Sequence, residues 1–82
     1  MSMRVIAIYD NQGETLDRYT FVFNEKQDDM HVMLGTDETG QAFSNFTLGH
    51  YDTAKNNKHL GREVAWYTLQ PELLKHVIGR TS

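Results

Sequence analysis

The most constraining feature of this sequence is a pair of strand-forming runs joined by a polar turn within residues 4–23. The first run, residues 5–9, and the second, residues 19–23, consist mostly of β-branched and aromatic side chains, which favour strands. Residues 10–13, DNQG, have turn chemistry, because Asp and Asn bond nearby backbone and Gly13 adopts positive φ without strain. The sequence therefore predicts a β-hairpin with a short loop, in which Leu16 already belongs to the second strand.

The alternation of side chains along this hairpin defines two faces. With a loop at residues 10–13, Tyr9 lies opposite Glu14 and one face is predicted to join the core. That face holds Ile6, Ile8, Thr15, Asp17, Tyr19, Phe21 and Phe23. The other face carries Val5, Ala7, Leu16 and Val22 among polar residues, and either later strands cover it or it forms an apolar patch for a homodimer or a protein target. A one-residue bulge would exchange the two faces.

The rest of the chain predicts shorter elements. Residues 24–29 are polar and predict a loop, residues 31–35 a third strand, and residues 36–40 a turn with Gly40 as its left-handed residue. Residues 42–48 predict an irregular strand, residues 49–61 a long polar loop, and residues 62–69 a strand in which Trp66 is a core or interface anchor.

A helix of about two turns is predicted from Pro71 to Gly79. Its apolar stripe consists of Leu73, Leu74, Val77 and Ile78, which we expect to pack against Ile6, Ile8 and Phe21. The predicted fold is a single α+β domain over residues 1–82: a small antiparallel sheet of four to five strands that begins with a hairpin, with one short C-terminal helix packed across it.

Composition limits the function classes. The chain has no cysteine, which excludes disulfides and thiolate metal sites, and its net charge of −3 argues against a dedicated DNA-binding protein. The start of the chain has no apolar run long enough for a signal peptide or a membrane span, so a cytoplasmic location is expected.

The long loop supplies the candidate binding residues. Tyr51, Lys55, Lys58, His59 and Arg62 combine positive charge with an aromatic ring, a set that suits phosphates or an acidic protein patch. The alternative is that residues 55–58 form only a soluble turn.

The sequence indicates a catalytic or metal-binding site less strongly than it indicates the basic loop. His50, Asp52 and His59 share the same loop, and in principle they form a metal or acid–base cluster, but no two histidines have ligand spacing on a predicted element. The sequence has no phosphate loop, nucleophile elbow or paired-carboxylate motif. We therefore predict no catalytic residue, no metal and no cofactor.

The hairpin also carries a resemblance. Three segments of the chain resemble small uncharacterised proteins encoded by bacteriophages and mobile elements. They are the hairpin pattern formed by Tyr9, Asp10, Gly13, Thr15 and residues 17–20 (DRYT), the MLG run at 33–35, and the HLGR run at 59–62. The chain departs from that group between residues 35 and 57, where a proline-containing segment is missing, since Pro71 is the sole proline. The resemblance implies a bacterial or phage setting and an accessory role, and it implies no site.

Two functions follow as expectations. The first is a small non-enzymatic interaction protein, an accessory factor that binds a host protein. The second is a nucleic-acid-binding module that uses the basic loop at residues 51–62.

Overall fold

A five-stranded antiparallel sheet with one C-terminal helix forms the protein, as seen in a computed structural model that describes residues 4–40, 46–49 and 61–81. The strands lie in the order β4-β3-β2-β1-β5. The elements are β1 (Val5–Asp10), β2 (Tyr19–Gln27), β3 (Met30–Thr36), β4 (Thr47–Gly49), β5 (Arg62–Glu63), a 3-10 turn (Trp66–Thr68) and the helix α1 (Pro71–Thr81). The predicted α+β class, the initial hairpin and the packed C-terminal helix are confirmed.

The loop of the first hairpin is longer than predicted. Strand β1 ends at Asp10 and β2 begins at Tyr19, so that Tyr9 lies opposite Thr20, and the predicted pairing of Tyr9 with Glu14 is wrong. Leu16 belongs to the loop rather than to the strand, and its side chain is 93% exposed. The reason is that polar side chains satisfy the backbone of the longer loop, which removes the advantage of pairing those residues as a strand.

A bulge in β1 interrupts the pairing between Val5 and Ala7 and leaves Ile6 as the extra residue. Beyond it, Ile8 and Phe21 lie opposite each other, and both belong to the core face, as predicted. Ile6 is 38% exposed, because the bulge removes it from the alternation that buries Ile8. The predicted core position of Ile6 is therefore wrong.

Strand β2 continues through polar residues that were predicted as a loop. It runs to Gln27 and pairs with β3 across a two-residue turn, in which Asp28 and Asp29 have φ of 50° and 66°. Positive φ at both central residues is the geometry of the type I′ hairpin turn, which Asp tolerates better than most residues. The predicted third strand is confirmed with one more residue at each end, and Gly40 has the expected positive φ of 78°.

Helix α1 covers one face of the sheet. Leu73 and Val77 are each 2% exposed and belong to the same buried cluster as Ile8 and Phe21, so the predicted docking of the helix stripe is confirmed at its centre. Ile78 is wrongly predicted as a packed residue, since it is 64% exposed. The helix also passes through Gly79, because a helical glycine costs only about 1 kcal/mol relative to alanine.

The predicted strand over residues 62–69 is wrong beyond its first two residues. Strand β5 ends at Glu63, and residues 66–68 form the 3-10 turn. Of the predicted irregular strand at residues 42–48, the last two residues belong to β4, which extends one residue further to Gly49, whereas residues 42–45 lie outside the described part of the chain.

Candidate functional site

Four of the five predicted binding residues lie outside the described residues. These four are Tyr51, Lys55, Lys58 and His59. His50 and Asp52, which form the alternative metal or acid–base cluster with His59, also lie outside the described residues. Arg62 is described: it is exposed on β5, directly opposite Asp10 of β1. The predicted basic loop therefore stays a prediction.

Of the two alternatives for the second hairpin face, the open apolar patch is wrong at Ala7 and Val22. Ala7 and Val22 are 5% and 0% exposed, and they belong to a buried cluster with Tyr9 and Met33. Leu16 is exposed but lies in the hairpin loop, away from that face. The second face of the sheet is thus buried at this cluster, whereas Thr47, which pairs with Met33, is exposed.

An apolar groove lies on the opposite side of β1, between that strand, the end of β5 and helix α1. Its volume is about 530 Å³, and its lining includes Ile6, Ile8, Val64, Trp66, Leu74 and Ile78. Trp66 and Ile78 are each 64% exposed, and Ile6 is 38% exposed. Large apolar side chains in contact with water around a concave surface are typical of an interaction site.

The groove exists because the chain leaves the edge of β1 early. The N–H of Val64 donates to the carbonyl oxygen of Ile8 at 2.8 Å, and the 3-10 turn follows at once. Within that turn the Thr68 hydroxyl donates to the carbonyl oxygen of Ala65 at 2.6 Å. Leu69 then enters the core, where it is 8% exposed. The turn therefore presents Trp66 at the surface while both of its flanks are anchored.

Trp66 is also supported by its neighbour in the turn. The rings of Trp66 and Tyr67 meet edge to face, with centroids 6.0 Å apart and an angle of 85° between their planes. Such an arrangement is a favourable aromatic contact.

One end of the groove wall is fixed by a close approach at Gly61. This residue has φ of 86°, and a Cβ there would collide with the carbonyl oxygen of Asp10 and lie 2.5 Å from the Asn11 Cα. A side chain is therefore excluded where the chain enters β5. The position of β5 beside β1, and with it the groove, depends on glycine at this position.

A polar cluster of Asp10, Arg18 and Glu38 holds the loop between β1 and β2. The Arg18 guanidinium donates to both carboxylate oxygens of Asp10, at 2.9 and 3.3 Å, and lies 3.7 Å from Glu38. The hydrogen bond from Arg18 lowers the pKa of Asp10, against the raising effect of its partial burial. The pKa of Arg18 is raised, chiefly by the same hydrogen bond. This pair stays ionised at neutral pH and stabilises the loop.

Asn11 organises the interior of that loop. Its side-chain N–H groups donate to the Thr15 hydroxyl at 2.8 Å and to the Asp17 carbonyl oxygen at 3.1 Å, while its amide oxygen accepts from the Gly13 N–H at 2.9 Å. Its partners Gly13, Thr15 and Asp17 belong to the hairpin motif described in the sequence, as do Asp10 and Arg18, whereas Asn11 itself lies at a position that the motif leaves unspecified. The motif residues therefore supply most of the hydrogen bonds that hold the loop.

Within residues 4–40, 46–49 and 61–81, no group of three His, Asp or Glu side chains is placed to bind a metal ion. In the same ranges, no helix combines the length and the apolar character that crossing a membrane requires.

Comparisons with protein-family models, with curated proteins and with solved structures found no match for this chain. The resemblance to proteins of bacteriophages and mobile elements therefore stays a prediction.

Proposed function

We propose that this protein is a non-enzymatic binding module that holds a segment of another protein in the groove between β1 and α1. One observation supports the proposal above the others: Trp66 and Ile78 are both 64% exposed on the walls of one apolar groove. Tryptophan is enriched among the residues that dominate binding energy, and such residues lie in concave surfaces that exclude water once occupied.

The groove suits a protein segment better than a charged polymer. Its walls are mainly aliphatic and aromatic, and its charged residues are one base and one acid, Arg4 and Glu63. A nucleic-acid site needs several cations along one surface. The groove therefore favours the first of the two expected functions.

A screen with a library of random displayed peptides tests this function. Wild-type protein is expected to enrich apolar peptides, and Ile78→Asp is expected to lose them, because a carboxylate on the groove wall must be desolvated when a peptide binds. Leu16→Ser is the matched control: it removes an apolar side chain that is 93% exposed but lies on the hairpin loop. Circular dichroism of each variant checks that the fold is kept.

Two results contradict the proposal. One is the absence of enrichment, or equal enrichment by Ile78→Asp. The other is a mobility shift with short nucleic acids that fades steeply with salt and disappears when Lys58 and Arg62 are replaced by alanine. That second result supports the basic-loop function instead.

A further inference from the structure

The outer edge of β1 is only partly paired. Strand β5 pairs with Tyr9 and Asp10, and the last contact along the edge is the bond from the Val64 N–H to Ile8. Within the described residues, no strand pairs with the outer side of β1 from Val5 to Ala7. The groove runs along this open stretch, so backbone and apolar side chains face the same space.

The hydrogen bonds at the start of β1 show which backbone groups are directed outward. The N–H of Asn24 donates to the carbonyl oxygen of Arg4 at 2.8 Å, and the N–H of Arg4 donates to the Asn24 side chain at 2.8 Å. Since successive residues of a strand alternate in direction, the backbone groups of Val5 are directed away from β2, into the open edge. An open edge of this kind is a template for another strand.

The exposed apolar area of the groove is smaller than a stable dimer interface requires. A specific interface buries about 800 Å² on each partner. The exposed large apolar side chains of the groove are Val5, Ile6, Trp66 and Ile78. Even a whole aromatic side chain contributes only about 150–250 Å², and only Trp66 of the four is aromatic. None of the four is more than 64% exposed, so together they fall short of that area. The groove of about 530 Å³ has instead the size of a site for a short segment.

Charge gives the segment a direction. Arg4 precedes β1, and Glu63 lies opposite Tyr9 near the other end of the strand, so the two residues border the groove at opposite ends. Because paired residues share a face of the sheet, the Glu63 side chain lies on the Tyr9 face, beside the groove wall rather than on it. Neither Arg4 nor Glu63 forms an ion pair with another residue in the described ranges. Every strand pair of the sheet is antiparallel, so a segment that extends the line of β5 runs from Glu63 towards Arg4. Its complementary order is a basic residue, then apolar residues, then an acidic residue.

We propose that the groove binds an extended peptide segment of the order basic–apolar–acidic, which adds to the open edge of β1 as an antiparallel strand in line with β5. This inference rests on the proposed function and specifies its binding mode. Main-chain hydrogen bonds to Val5 provide part of the affinity, and alternate side chains contact Trp66 and Ile78.

The test titrates the protein with a capped peptide, Lys-Val-Thr-Val-Asp, and measures binding in two ways. The chain has a single tryptophan, so its fluorescence reports occupancy of the groove at Trp66. Amide hydrogen exchange measured by NMR reports pairing at Val5. We expect saturable binding, a slower exchange of the Val5 amide in the complex, and binding at least about fivefold weaker for the peptide with Lys and Asp interchanged.

Backbone methylation of the peptide separates strand addition from simple apolar contact. In an added strand, only every second residue of the peptide directs its N–H group towards β1. N-methylation of those residues is expected to weaken binding by about tenfold, whereas N-methylation of the residues between them is expected to leave binding unchanged. Equal effects of the two methylations overturn strand addition but leave the proposed function intact. Slow exchange of the Val5 amide in the free protein also overturns it, since the chain itself then covers the edge.

Failure of all peptides of this order also overturns the inference. If peptides from the displayed library still bind in an Ile78-dependent manner, the proposed function survives and only the binding mode is wrong. If neither kind of peptide binds, both proposals are wrong.

Discussion

Replacing Gly61 by alanine tests how closely β5 approaches β1, and Gly13 provides a matched control. Both glycines have positive φ, 86° at Gly61 and 89° at Gly13, so alanine is strained at each by about 1–2 kcal/mol. A Cβ at Gly13 meets nothing within 4 Å, whereas a Cβ at Gly61 collides with backbone atoms of Asp10 and Asn11. Backbone cannot move aside as a flexible side chain does, and such overpacking costs about 1–3 kcal/mol more.

We therefore expect Gly61→Ala to be less stable than Gly13→Ala by about 2 kcal/mol. In a domain of this size, that difference lowers the melting temperature by about 8–16 °C. Urea unfolding followed by far-UV circular dichroism measures both variants against the wild type. Equal losses of stability in the two variants would refute the close approach of Gly61 to β1.

Three further predictions concern stability. Arg18→Met should lower the free energy of unfolding by about 1–2 kcal/mol at neutral pH, because it removes a half-buried, charge-assisted pair. The lowered pKa of Asp10 means that the wild type loses this contribution as the pH falls below the ordinary value of 3.8, so the two proteins should converge in acid, and urea titrations at several pH values check this. Leu34→Ala should cost about 2–5 kcal/mol because Leu34 is fully buried, whereas Leu16→Ala should stay within about 0.5 kcal/mol; comparable losses in thermal melts would contradict these positions in the fold.

Much of the fold could be predicted because it depends on local apolar patterns. The apolar runs at 5–9, 19–23 and 31–35 are strands, and Pro71 begins the helix as its chemistry suggests. The polar end of β2 was missed because residues 24–27 are exposed on both faces, and strands without a buried face lack the alternating signal. Their register comes instead from the tight turn at Asp28 and Asp29.

The groove could not be predicted from the sequence because it depends on where β5 stops. Residues 62–69 alternate well enough to suggest a strand, and a strand of that length would have paired along β1 and closed its edge. The Ala65–Thr68 hydrogen bonds end that pairing and turn Trp66 outward. The exposure of Ile78 likewise depends on which helix residues contact the sheet. An apolar side chain in the helix stripe predicts burial, so the sequence alone does not indicate that Ile78 is exposed.

The position of Trp66 is the part of the account that one measurement tests most directly. Acrylamide quenching of its fluorescence, compared between the folded protein and the protein in concentrated urea, reports how much of the indole solvent reaches. Since Trp66 is 64% exposed on the groove wall, we expect ready quenching and a red-shifted emission in the folded state, close to the values in urea. A blue-shifted emission that acrylamide barely quenches would place Trp66 in the interior and contradict the open groove.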